Sequence, residues 1–174
     1  MVRLVDRFDD KALRDSWVRA RDAALAVSLP VIYVRIAFRA GYPEVAIRNE
    51  LLAPLIAAGG LSEADPGSAI SPFVASGSQD IVVTKRRVSA FSGSDLDVIL
   101  RSLEVETVVL AGLVTSGVVL STLVDAVDRD FRIIVLSDGC ADADTHLHRA
   151  LMDRYFPSRC RVLTTTQWES ELQR

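Results

Sequence analysis

Lys85 is the side chain with the clearest chemical potential in this chain, because lysine is otherwise almost absent. Eighteen of the twenty basic residues are Arg, which leaves Lys11 and Lys85. Lys11 lies in a charged, solvated stretch, whereas Lys85 ends the apolar run Ile81-Val82-Val83-Thr84, where an ammonium is expected to be half-buried. Arg serves as a surface charge equally well, but only Lys offers a compact charge whose pKa can be tuned. One reading of Lys85 is therefore chemistry at a strand end, and the other is an ordinary strand-end charge. A second candidate is Ala111-Gly112-Leu113-Val114-Thr115-Ser116-Gly117, which leaves one predicted strand and enters a helix. Backbone amides at a helix start can hold an anion or a developing oxyanion, which makes Val114, Thr115, Ser116 and Gly117 the candidate binding residues. The two glycines permit a tight turn and close backbone approach. The plain alternative is a strand-to-helix turn capped by Thr115 or Ser116. The spacing is neither a GxGxxG fingerprint nor a P-loop.

The remaining candidates are weaker. Cys140 follows Ser137-Asp138-Gly139 at the carboxyl end of a predicted strand and could be a nucleophile, but a Cys of this kind also serves as a small buried hydrophobe. Cys160 begins a strand and has less claim. His146 and His148, the only histidines, are two residues apart, a spacing that does not put both on one helix face. No zinc site and no cofactor are expected from this set. Asp138, Asp142 and Asp144 read as an acidic, solvated turn that caps a helix.

The elements that must position these residues alternate between helix and strand. Leu13, Trp17, Ala20, Ala24 and Val27 recur at helical spacing from about Asp10 to Val27. Pro30 leads into a strand from Val31 to Ile36. Residues 44–58 are helical in character, with Pro54 expected to break or kink them. Residues 59–79 read as a long connection. A strand then runs from Ile81 to Thr84, and a helix follows with Ser94 as N-cap and Asp97 three residues on. Strands Thr107–Ala111, Arg132–Leu136 and Arg161–Thr164 alternate with helices Ser116–Asp128 and Thr145–Tyr155 and a short terminal helix. Continuous apolar strands alternating with helices predict a doubly wound parallel sheet covered on both faces. In such sheets ligands bind beyond the carboxyl ends of the strands, which is where Lys85, the 112–117 turn and Cys140 all fall. The helix from Ser116 is apolar on nearly every side, which predicts burial all round, within the fold or against another subunit.

Composition narrows the class. At 174 residues, 49% of them apolar, the chain suits one domain with a real core. A net charge of -3 with mixed signs gives no basic stripe for nucleic acid. The charged start of the chain lacks the apolar block of a signal peptide, and no apolar run approaches membrane-spanning length. Two cysteines alone do not point to an oxidising compartment, so a cytoplasmic protein is expected.

Four stretches, in order, resemble the isochorismatase-like cysteine hydrolase family: Pro30-Val31-Ile32-Tyr33-Val34, Val83 to Phe91, Val109 to Thr115, and Val135 to Asp142. The resemblance implies one domain over residues 1–174, with a three-layer α/β/α Rossmann-like parallel sheet of five strands here where the family has six. It further implies a homodimer or homotetramer acting on a small-molecule substrate. Hydrolytic family members use an Asp from the first strand, a Lys, and a Cys three residues after the turn threonine, to break an amide-type bond. Lys85 matches the family lysine, residues 112–115 match the turn, and a strained peptide is expected near Val114–Thr115. The nucleophile position is Val118, which cannot attack. Isochorismatases proper also lack the Cys and use the Asp on a vinyl ether. The Asp-bearing strand is expected to be missing, because Met1 begins about where it should have ended and Asp6 and Asp9 lie after that point. The segment matching the family's metal-binding stretch, Arg35 to Arg39, has no His. Two expectations follow. One is a hydrolase whose given start omits a strand; the other is a non-catalytic relative that keeps the fold for ligand binding or assembly. A nucleotide-binding Rossmann domain is a third and weaker reading.

Overall fold

The computed structural model of the protein describes residues 8, 10–57, 59–74 and 80–174. Asp6 and Asp9 lie outside the described residues. Five strands are present among those described: β1 (Ile32–Ile36), β2 (Ile81–Lys85), β3 (Thr107–Leu113), β4 (Arg132–Ala141) and β5 (Arg161–Leu163). All pairings are parallel. Instead of one sheet of five, the described strands form two hydrogen-bonded groups, β1–β2 and β3–β4–β5.

Six α-helices among the described residues surround them. These are α1 (Lys11–Ala26), α2 (Ala53–Ala57), α3 (Leu96–Ser102), α4 (Leu120–Val127), α5 (Thr145–Ala150) and α6 (Thr165–Leu172). Strand β4 shows why the layers form. Its Ile134 and Leu136 pack with Ala24 of α1 and Trp168 of α6, while Ile133 and Val135 pack with Leu96 and Leu100 of α3 and Leu123 and Ala126 of α4. Successive strand residues point to opposite faces, so an unbroken apolar run buries both. The result is the expected α/β/α layering.

Several local expectations are corrected. Among the described residues of the 44–58 segment only Ala53–Ala57 is helical, and Pro54 stands at its second position, where the missing N–H costs nothing. Ser137 to Cys140 are strand rather than loop. The pairing of β3 with β4 jumps from Leu110↔Val135 to Gly112↔Cys140, and this irregularity lets β4 run on to Ala141. The segment from Ser116 is not one α-helix, because a π-helical turn, Thr115–Val119, precedes α4. Nor is α4 buried all round within the chain: Val124 and Val127 are each 39% exposed, while Leu123 and Ala126 are fully buried. Asp95, not Ser94, is the residue before α3, although the Ser94 hydroxyl accepts from Leu96 N at 3.3 Å.

Candidate active site

Lys85 is the last residue of β2, paired in register with Ile36. It is 1% exposed. Among the described residues its Nζ donates to Val88 O and meets no carboxylate. Burial favours the neutral amine and pulls the pKa down from 10.5 to about 8. Lys11, by contrast, is well exposed and pairs with Asp15 at 2.6 Å.

The turn after β3 is built by its glycines. Gly112 has φ +139°, a conformation that side chains disfavour, and a Cβ there would touch nothing, so backbone shape rather than space selects glycine. At Gly117 the reason is space: a Cβ would lie 3.1 Å from Val114 Cγ2. The Leu113–Val114 peptide bond is cis. The Val119 amide reaches back five residues to Val114 O at 3.1 Å, which opens the turn into a π-helical one. Val118 sits in this turn, half-buried.

Thr115 and Ser116 do not cap their own helix. Thr115 is fully buried, and its hydroxyl lies 2.8 Å from His148 Nδ1 on α5. Ser116 donates to Asp142 Oδ2 twice, from its amide at 2.7 Å and its hydroxyl at 2.6 Å. Burial works against the Asp142 charge, but these bonds and the amides of Asp144 and Ala143 hold its pKa below the usual carboxylate value. Asp138 and Asp144 are exposed and Asp144 caps a helix as expected, but Asp142 is half-buried and holds the turn instead of facing solvent. Asp142 grips the turn, Asp144 caps α5 through the amides of His146 and Leu147, and Asp138 accepts from Thr165 N and Oγ1 to hold the start of α6. Trp17 Nε1 ties α1 to the same end of β4 through Gly139 O at 2.7 Å.

What sequence reasoning missed is the contact of His148 and Asp142 with the turn. Their chemical signal was a histidine and an aspartate on either side of a helix cap, but nothing in their spacing points across to Thr115 and Ser116. Lys85 and the turn both stand at carboxyl ends of strands, on different hydrogen-bonded groups. The link between them is indirect: Ala90 N donates to Thr122 Oγ1 at 2.9 Å, and Ser92 Oγ to Asp125 Oδ2 at 3.3 Å, so the segment after Lys85 is pinned to α4.

Cys140 is 5% exposed inside β4, and burial pushes its thiol up to about 12. Such a thiol carries almost no thiolate near neutrality. Cys160 is likewise raised, to about 11, by burial. Among the described residues no group of three or more His, Cys, Asp or Glu could hold a metal ion, and no helix is long and apolar enough to cross a membrane.

The fold and the local motifs have close counterparts among known proteins. The isochorismatase domain model matches residues 3–167. Maleamate amidohydrolase of Pseudomonas putida is 36% identical over 88 residues, covering 51% of this chain and 41% of that one. The chain spans about half the length of the curated relatives it matches. An isochorismatase family protein from Burkholderia thailandensis superposes with a TM-score of 0.83 at 28% identity, covering 93% of this chain and 83% of that one. A cysteine hydrolase from Pseudomonas syringae pv. phaseolicola does so with a TM-score of 0.83 at 26% identity, over 94% and 82%. With a buried strand-end lysine, a glycine-shaped turn after β3 and a match over nearly its whole length, the chain belongs to the isochorismatase family.

Proposed function

We propose that this chain hydrolyses the C–N bond of a small amide, with water as nucleophile and Lys85 as the proton-handling group. The observation that carries the reading is the burial of Lys85 at the carboxyl end of β2 with a pKa near 8. A group poised near the working pH passes between acid and base forms with little cost. In the proposed step water attacks the carbonyl carbon, the C–N bond breaks, and the proton released by water ends on the leaving nitrogen. Lys85 gives one of its three donors to Val88 O and has two left for the substrate. The amides of Ser116 and Gly117 lie on the turn offered to the developing oxyanion, although the Ser116 amide is already committed to Asp142. The likeness to maleamate amidohydrolase favours an amide over a vinyl ether.

A second reading, a non-catalytic relative that holds a ligand, is favoured by Val118 in the place of the thiol. Both readings take residues 1–174 as one domain working in the cytoplasm as a homodimer or homotetramer. The exposed Val127 on α4, outside the residues that line a groove, supports that assembly. The test is ammonia release from maleamate and a panel of small amides by the chain and by Lys85→Ala. Turnover that disappears with Lys85 supports the hydrolase. Turnover that survives sinks the role of Lys85, and no turnover from either favours the second reading.

A further inference from the structure

An open groove of about 570 Å³ runs along α4, between that helix and the segment that follows Lys85. Leu51, Leu52, Val88, Leu120, Val124 and Tyr155 give it apolar walls. Leu51 and Val124 are 60% and 39% exposed. Two charged side chains, Arg87 and Asp125, line it. Their states differ.

Asp125 is already balanced. Arg129 Nη1 lies 3.1 Å from its Oδ1, and Ser92 donates to its Oδ2. Arg87 is held but not neutralised. Its Nη1 donates to Arg86 O at 2.6 Å and its Nη2 to Glu44 O at 2.8 Å, both uncharged carbonyls. Among the described residues it pairs with no carboxylate. The neighbouring Arg86 shows the contrast, with Glu63 at 2.5 Å and Glu44 at 3.7 Å. Two of the five guanidinium donors of Arg87 are used, so three remain on a fork whose orientation is already fixed. A fixed cation at the side of an apolar groove recognises a carboxylate on an apolar body, and its ordering cost has been met by the two carbonyl bonds.

We propose that this groove binds a small organic monoanion, an aromatic or aliphatic carboxylate, with Arg87 holding the carboxylate and the Leu52–Leu120–Tyr155 walls taking the apolar part. The volume suits a one-ring molecule. A polyanion such as a nucleotide fits poorly, because Asp125 shares the groove and among the described residues only one cation, Arg87, lines it. The site goes beyond the hydrolase reading, since it holds equally for a chain that binds without turning over.

Benzoate is the probe, titrated into the full chain and followed by amide NMR shifts, with benzyl alcohol as the uncharged control of the same shape. Benzoate should shift the amides of residues 88–92 and 120–125 saturably, and benzyl alcohol should bind at least about tenfold more weakly, the worth of one charge-assisted contact. Arg87→Gln should weaken benzoate by a similar factor and leave benzyl alcohol unchanged. Equal binding of the two probes would overturn the anion assignment, without needing the variant to fold. Absence of benzoate shifts would also overturn it, and the same amides shifting with protein concentration instead would assign the groove to a second copy of the chain. Because the readout is binding, failure here is distinct from failure of the ammonia-release assay.

Discussion

Lys85 at the end of β2 is 1% exposed and Cys140 near the end of β4 is 5% exposed, yet burial moves the two groups to opposite ends of usefulness. Removing water favours whichever form is neutral. For the lysine that is the amine, and the pKa falls to about 8, within reach of the working range. For the cysteine it is the thiol, and the pKa climbs to about 12, far from it. The same physical cause arms one residue and silences the other. A third pattern lies between them at Asp142, where burial is overcome by hydrogen bonds and a charge is kept for structural use.

The largest expected effect tests the armed side. Lys85→Ala should lower amide turnover by on the order of 10²–10⁴-fold, the usual worth of a general acid or base. Ammonia release at saturating substrate measures it, and full activity in the variant would break the comparison at its centre.

The next effect is on stability. Burying an ammonium is unfavourable, so Lys85→Met should be more stable than the parent at pH 7, by about 3 kcal/mol if the whole shift from 10.5 to about 8 is expressed. The sign follows from proton counts. Between pH 8 and 10.5 the unfolded lysine is protonated and the folded one is not, so the parent gains stability as pH rises. The advantage of the variant should therefore shrink through that window and vanish above it. Urea melts at pH 7, 9 and 11 measure it, and a pH-independent difference would mean that Lys85 has a charge partner in the folded chain.

Asp142 gives a smaller effect. Asp142→Ala leaves the Ser116 amide and hydroxyl without their acceptor and should cost about 1–3 kcal/mol. Asp142→Asn should lose less. Because the folded pKa of Asp142 is depressed, its contribution is present above the unfolded value and fades as pH falls through the folded one. The two variants should therefore converge on the parent in acid, and thermal melts at pH 7 and pH 3 show whether they do.

The sequence was most legible where one residue type carried its own reason. Five apolar runs became five strands, because an unbroken apolar strand must be covered on both faces. Lys85 stood out because a lysine in an arginine-rich chain has to justify its place. The glycines of the 112–117 turn were likewise readable, one for its φ and one for its contact with Val114. What escaped was whatever depends on contacts between distant segments. The His148–Thr115 and Asp142–Ser116 bonds cross 33 and 26 positions, and no local pattern announces them. The extension of β4 past Leu136 was hidden for the same reason: Ser-Asp-Gly reads as a turn until β3 is present to pair with its far side. The apolar surface of α4 left two readings open, and the exposed Val124 and Val127 rule out only burial of the whole helix by its own chain.

The smallest expected effect belongs to the silent side, and it is the sharpest check on the cause. With a pKa near 12, Cys140 holds on the order of one part in 10⁵ as thiolate at pH 7. Iodoacetamide should leave it unmodified in the native chain while denaturant exposes it, and Cys140→Ala should change ammonia release very little. Its cost should be confined to packing, ~1 kcal/mol or less in a melt. The Lys85 amine provides the internal control, because trinitrobenzenesulfonate reacts with neutral amines and burial raises the neutral fraction of Lys85 while also shielding it. If Lys85 reacts in the native chain while Cys140 does not, reagent access cannot explain the silence of the cysteine, since both are equally enclosed. If Cys140 is alkylated at pH 7, burial does not hold it as a thiol, and the contrast between the two strand ends fails on its quieter half.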